Sequence, residues 1–131
     1  MIFSGGCLCG SLRYESKQKP IETAYCHCSI CRKSTSAPVV AFASFPLSDF
    51  SYTKGKPSIY QSSPTGQREF CNKCGTQIAY RGLDNPKTVD INSGTLDDME
   101  SVAPQFHIYT KDKVSWFEIN DQLPEYSKGV E

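Results

Sequence analysis

Apolar positions along the chain recur mostly at every second residue. Leu12 and Tyr14, Ile78 and Tyr80, Val89 and Ile91, and Phe106 and Ile108 form such pairs, and Ile59 and Tyr60 stand in a similar short run. These runs are rich in β-branched and aromatic residues and are bounded by Gly, Pro, Asn or Asp, which predicts short half-buried strands. "PVVAFASF" (38–45) is apolar throughout and of strand length, so it is expected in the middle of a sheet. "KGKP" (54–57), "SPTG" (63–66) and "GLDNPK" (82–87) are turn signals at the intervals of an antiparallel β protein. "VSWFEI" (114–119) predicts a last strand, with Trp116 in the core, and residues 126–131 a loose tail. Helix is expected only in a turn or two around Ser29 to Ser34 and near "TLDDME" (95–100), where Thr95 or Asp97 would be the cap.

The chain of 131 residues suits one domain, 1–131, with a modest core. Its hydrophobic share of 38% is low, so something besides apolar packing is expected to hold the fold together. The 14 basic and 14 acidic residues cancel and form no block of like charge, which argues against a nucleic-acid footprint. The start "MIFSGGCLCG" shows no secretory signal, and no run approaches the roughly 18 apolar residues of a membrane span. A soluble, cytoplasmic protein is expected, with its thiols reduced. Seven cysteines in such a setting read as metal ligands or reactive thiols before disulfides.

The cysteines form three groups: "CLC" at Cys7 and Cys9, "CHCSIC" at Cys26, Cys28 and Cys31, and "CNKC" at Cys71 and Cys74. A structural zinc takes four ligands, and close pairs are the usual way to supply them. Gly10 follows the first group and Gly75 the last, whereas Arg32 follows the triplet. Glycine permits the sharp turn that aims backbone amides at thiolate sulfurs. This pairs Cys7 and Cys9 with Cys71 and Cys74 as a closed structural site that staples the first strand to a later hairpin. The triplet is left with three thiolates and an open fourth position, the arrangement of a catalytic zinc, and a thiol is the soft ligand suited to that position. Arg32 and Lys33 would offset the negative charge or hold an anionic substrate.

Other readings remain open at this point. Cys28 and Cys31 could pair with Cys71 and Cys74 as a zinc ribbon, leaving Cys7, Cys9 and Cys26 free. His27 is expected to point away from the metal, and His107 to be a hydrogen-bonded, half-buried strand residue. Arg68 and Arg81 read as surface charges. His107 or Asp97 are candidate proton donors.

The stretches "GGCLCGSLRY" (5–14), "CHCSICRKS" (26–34), "YQSSPTGQREFCNKCGTQI" (60–78), "SGTLDD" (93–98), "PQFHIYT" (104–110) and "SWFEI" (115–119) resemble the glutathione-dependent formaldehyde-activating enzymes, a family that shares its domain with centromere protein V. The resemblance implies a mainly β fold, a β-tent of antiparallel sheets with a structural zinc and little helix. It implies a structural zinc on Cys7, Cys9, Cys71 and Cys74 and a catalytic one on Cys26, Cys28 and Cys31; with only three thiolates the second ion is expected to be labile, and Arg32 follows it in the chain. It implies a carbon–sulfur lyase activity that joins glutathione, or another small thiol, to formaldehyde or a related small aldehyde and gives S-hydroxymethylglutathione. The alternative is a zinc-stabilised β interaction module without catalysis. One departure stands out: members usually carry a glycine near Thr35 or Ser36, and "KSTSAP" has none.

Overall fold

The structure is a computed structural model, and it describes residues 2–84 and 86–129. Ten strands form two sheets: β1 (Phe3–Gly6), β2 (Arg13–Ser16), β3 (Glu22–Cys26), β4 (Val40–Pro46), β5 (Phe50–Lys54), β6 (Ser58–Ser63), β7 (Gly66–Phe70), β8 (Gln77–Gly82), β9 (Thr88–Asn92) and β10 (Phe106–Ile108). The small sheet has the order β1-β2-β5, and the large one β10-β3-β4-β9-β8-β7-β6. The protein is mainly β, as the alternation predicts. The pairs are antiparallel except β10 on β3, which is parallel, with Ile108 opposite Cys26. Among the described residues no helix is long and apolar enough to cross a membrane.

The continuous apolar run at 38–45 becomes β4, third in the large sheet from its β10 edge. Successive side chains of a strand point to opposite faces. Ala43 and Phe45 accordingly join the main core, together with Phe3, Tyr14, Ile78 and Ile91, whereas Phe42 joins a second cluster with Ala24 and Cys26. Both faces of β4 are largely buried, and the polar Ser44 on the Phe42 face is satisfied by donating its hydroxyl to Asp90. The main core lies between the two sheets, since Phe3, Tyr14 and Phe50 of the small one pack with Phe45, Ile78 and Ile91 of the large one. Each core is bordered by one group of thiols: Cys7 and Cys71 by the first, Cys26 by the second.

Helix α1 (Ser29–Thr35) falls where it is expected. Cys28 is its N-cap, accepting a hydrogen bond from the Cys31 amide, and Ser36 closes it in the left-handed conformation, φ 58°. Ser36 thus stands in a turn whose left-handed backbone favours glycine.

Several expectations are corrected. Residues 114–119 make no strand: Phe117 N–H bonds to the Val114 carbonyl in a turn, and the Lys113 ammonium caps the carbonyls of Val114 and Phe117. Trp116 is 71% exposed rather than core. The stretch near 95–100 forms two short 3-10 turns, Ser93–Thr95 and Met99–Val102, and the second is capped by Asp98, not by Thr95 or Asp97. Asp97 instead pairs with Arg13. The chain end is bonded further than a loose tail would be, since Tyr126 N–H donates to the His107 carbonyl and Tyr109 N–H to that of Lys128; residues 130 and 131 lie outside the described residues. Arg68 is buried, and Arg81 is paired with buried Glu69, so neither is a free surface charge. The turn expected at 82–87 includes Asn85, which also lies outside the described residues.

These placements set the stability effects of three substitutions. Phe45→Ala empties the sheet-on-sheet core and is expected to cost about 3–5 kcal/mol in urea unfolding, whereas exposed Trp116→Ala should change stability by about 0.5 kcal/mol or less. Ser36→Gly relieves the left-handed strain and should raise stability by up to about 1 kcal/mol in the same measurement.

Candidate metal centres

The four sulfurs of Cys7, Cys9, Cys71 and Cys74 lie within 4.8 Å of one another, and so do the three of Cys26, Cys28 and Cys31. The four-and-three division read from Gly10 and Gly75 is therefore the one in the fold, and the zinc-ribbon pairing of Cys28 and Cys31 with Cys71 and Cys74 is not.

The four-thiol group joins the β1–β2 connection to the β7–β8 connection, so it spans the two sheets. Gly10 and Gly75 hold φ of +81° and +82° in these two loops. No atom lies within 4 Å of where a Cβ would stand on either, so the requirement is the backbone turn, not close packing. That turn aims donors at sulfur: the Leu12 amide reaches Cys7 Sγ at 3.2 Å and the Lys73 amide reaches Cys71 Sγ at 3.4 Å. The Ser11 hydroxyl lies 3.1 Å from Cys9 Sγ and 3.3 Å from Cys71 Sγ, and the Thr76 hydroxyl 3.2 Å from Cys74 Sγ. The Thr76 hydroxyl and amide pull the Cys74 thiol down to about 5. Burial pushes the Cys7 thiol up, but the Leu12 amide and the Ser11 hydroxyl outweigh it and bring it down to about 7.

The three-thiol group forms where β3 ends and α1 begins. Hydrogen bonds from Cys26 and Cys31 hold the Cys28 thiol far below the usual thiol range, and the bond to Cys28 pushes Cys26 far above it. Three sulfurs this close share protons because like charges oppose further ionisation. A cation among them removes that opposition. Both groups therefore have the chemistry of metal sites: soft sulfur donors, close convergence and amide or hydroxyl donors to the thiolates. Both suit zinc.

The cavity of about 690 Å³ beside the triplet is lined by Cys26, Cys28 and Cys31, by Phe106, Ile108 and Tyr109, and by Arg68, Tyr80, Asp90 and Lys111. Arg68, which the sequence reads as a surface charge, is the residue that the fold unexpectedly brings to the thiol group. Its two terminal nitrogens both stand 3.7 Å from Cys31 Sγ, and its guanidinium lies 4.9 Å over the Tyr80 ring centroid. The available signal was its place in "GQREFC", in step with the strand that leads to Cys71. Arg32 is half-buried on α1 and lines a second cavity outside the helix.

Neither candidate proton donor lines the thiol cavity. Asp97 is held by Arg13 and hydrogen-bonded through its amide to Ser4 in β1. His107 alternates with Phe106 and Ile108, so it turns to the opposite face of β10 from the triplet. There it is 1% exposed, bonded to His27 Nε2 at 2.9 Å and to Asp121 at 2.8 Å. His27 is fully buried in that same pair and is no part of the thiol group.

The chain is 25% identical over 111 residues to an uncharacterized lyase of Schizosaccharomyces pombe, covering 85% of this chain and 80% of that protein. It is 27% identical over 131 residues to a Halomonas elongata protein that carries the name of the formaldehyde-activating family, covering 93% and 83%. A crystal structure of a Rhodobacter sphaeroides protein shares the fold with a TM-score of 0.61, at 21% identity, over 94% of this chain and 98% of that one. The sequence pattern of the glutathione-dependent formaldehyde-activating enzymes matches residues 2–112, and the chain belongs to that family.

Proposed function

We propose that the protein joins glutathione to formaldehyde or a related small aldehyde, giving S-hydroxymethylglutathione. The observation that carries this reading is the contrast between the two thiol groups: four sulfurs close one, whereas only three, at the wall of a cavity, make the other. A fourth ligand from outside suits the triplet. The names of the family and of the relatives support a lyase acting on a thiol and an aldehyde.

Zinc held by Cys26, Cys28 and Cys31 would supply a Lewis acid that acidifies an incoming thiol. The rest of the work falls to the chain. Arg68 offsets negative charge at Cys31 Sγ. Phe106 and Ile108 wall the cavity and limit water around the reacting groups. Binding both reactants there replaces a bimolecular encounter with a positioned one. A carbon–sulfur bond forms, the carbonyl π pair moves to oxygen, and that oxygen takes up a proton, so the product has the summed atoms of thiol and aldehyde. Lys111 and Tyr109 face the cavity as groups that can hold that proton.

Zinc-replete reduced protein should hold two zinc ions per chain, one for each group, with the triplet ion removed first by a weak chelator. Cys74→Ser and Cys7→Ser should unfold the protein at much lower temperature, because structural zinc contributes apparent folding free energy on the order of 10 kcal/mol. Cys28→Ser should lose only the labile ion and keep its melting temperature, since serine also caps a helix well. Metal analysis beside melting curves decides it: a stoichiometry that stays at one, or Cys28→Ser melting as badly as Cys74→Ser, refutes the division.

Calorimetry should show glutathione binding with proton release and S-methylglutathione binding much more weakly, because only the free thiol can ionise. The preference for the thiol form should vanish in Cys28→Ser. Equal affinity for both forms would refute the open-site reading.

A further inference from the structure

The two cavities beside α1 differ in charge. The inner one, around the three thiols, includes Glu22, Asp90 and Asp112 as well as Lys111 and Arg68. The outer one has a volume of about 1000 Å³ and is lined by Arg32, Lys33 and Arg68, by serine hydroxyls including Ser62, and by the rings of Tyr60 and Phe70. No carboxylate of the described residues lines it. None of these three cations takes part in an ion pair among the described residues.

Arg68 belongs to both cavities. It is only 8% exposed. Its Nε–H donates to Ser62 Oγ at 3.2 Å, one Nη1–H to Ser34 Oγ at 3.1 Å, and one hydrogen on each terminal nitrogen points to Cys31 Sγ at 3.7 Å. A guanidinium has five N–H donors. One Nη2–H is therefore left without an acceptor among the described residues. Arg32 repeats the pattern, since its Nε is buried and has no hydrogen-bond partner. The spare Arg68 N–H and the unpaired Arg32 guanidinium, beside a cavity that no carboxylate of the described residues lines, suit an anionic oxygen ligand.

We propose that the outer cavity is a carboxylate subsite for the glycine end of glutathione, with Arg68 as its buried anchor and Arg32 nearer the rim. This rests on glutathione being the thiol. The γ-glutamyl end carries an ammonium beside its carboxylate, which three unpaired cations would repel, whereas the inner cavity has acidic groups to receive it. Because the Arg68 guanidinium also touches Cys31 Sγ, it ties the carboxylate subsite to the place where the thiol is held. Arg68 is then a specificity-determining residue: it selects thiols that carry a carboxylate one residue beyond the sulfur.

The test is calorimetric titration of the zinc-loaded full chain and of Arg68→Gln with four ligands. These are glutathione, its glycine carboxamide, and the S-methyl derivative of each. Wild type should bind each carboxylate on the order of ten- to hundredfold more tightly than its carboxamide. In Arg68→Gln that discrimination should disappear; because the variant also loses the charge beside Cys31 Sγ, the readout is the carboxylate-to-carboxamide affinity ratio and not the affinity of either form alone. The methylated pair separates this inference from the reading it rests on. If methylation makes no difference to affinity but the carboxylate preference persists and depends on Arg68, the thiol site is wrong and the subsite stands. Carboxamides that bind as well as carboxylates overturn the subsite, as does equal weakening of both forms by Arg68→Gln or no binding of any of the four. If circular dichroism shows that Arg68→Gln does not fold, Arg32→Gln takes its place, and unchanged discrimination there overturns the proposal.

Discussion

The convergence of two loops, one carrying Cys7 and Cys9 and the other Cys71 and Cys74, is the constraint on which the rest of the molecule depends. Cys9 and Cys71 are 62 residues apart in the chain, and their sulfurs stand 3.8 Å apart. One loop ends a hairpin of the small sheet and the other a hairpin of the large one, so their meeting holds the sheets face to face. Closing so long a loop costs conformational entropy that a chain with 38% hydrophobic residues is poorly equipped to offset by packing alone. Metal ligation at the four sulfurs would offset it, and the core residues Phe3, Phe45, Ile78 and Ile91 fill the space between sheets.

The second thiol group depends on the first through β4. That strand carries core residues on both faces, so its placement against the small sheet also places Phe42 beneath Cys26. The parallel strand β10 closes the same side, bringing Phe106 and Ile108 to the cavity wall and turning His107 away to bond His27 and Asp121. A group of three thiols is thereby presented to a cavity, while a group of four is closed by its own loops. The group of four thiols and the group of three are separated by which face of one sheet they border.

Charge follows the same division. Glu69, buried in β7, is satisfied by Tyr52 at 2.7 Å and by Arg81 on the neighbouring strand. Arg68, next to it, turns to the other face and has sulfur, serine hydroxyls and the Tyr80 ring as neighbours, with no carboxylate partner among the described residues. Alternation along a strand is enough to send one charge of an adjacent pair into an ion pair and the other into a site.

Local chemistry was legible in the chain itself. Alternating apolar residues predicted strands, the run at 38–45 a central one, and Gly10 and Gly75 marked the loops that need positive φ, which sufficed to divide seven cysteines into four and three. These features act within a few residues, so sequence spacing records them. What only the tertiary structure decided involves partners far apart in the chain. Arg68 reads as a surface charge until Ser34 and Cys31, 34 and 37 residues away, close over it. Trp116 reads as core until Lys113 turns the backbone and leaves the ring in solvent. Asp97 reads as a helix cap until Arg13, 84 residues earlier, takes it. Burial and ion pairing depend on what the fold brings opposite a residue, and a linear pattern holds no record of it.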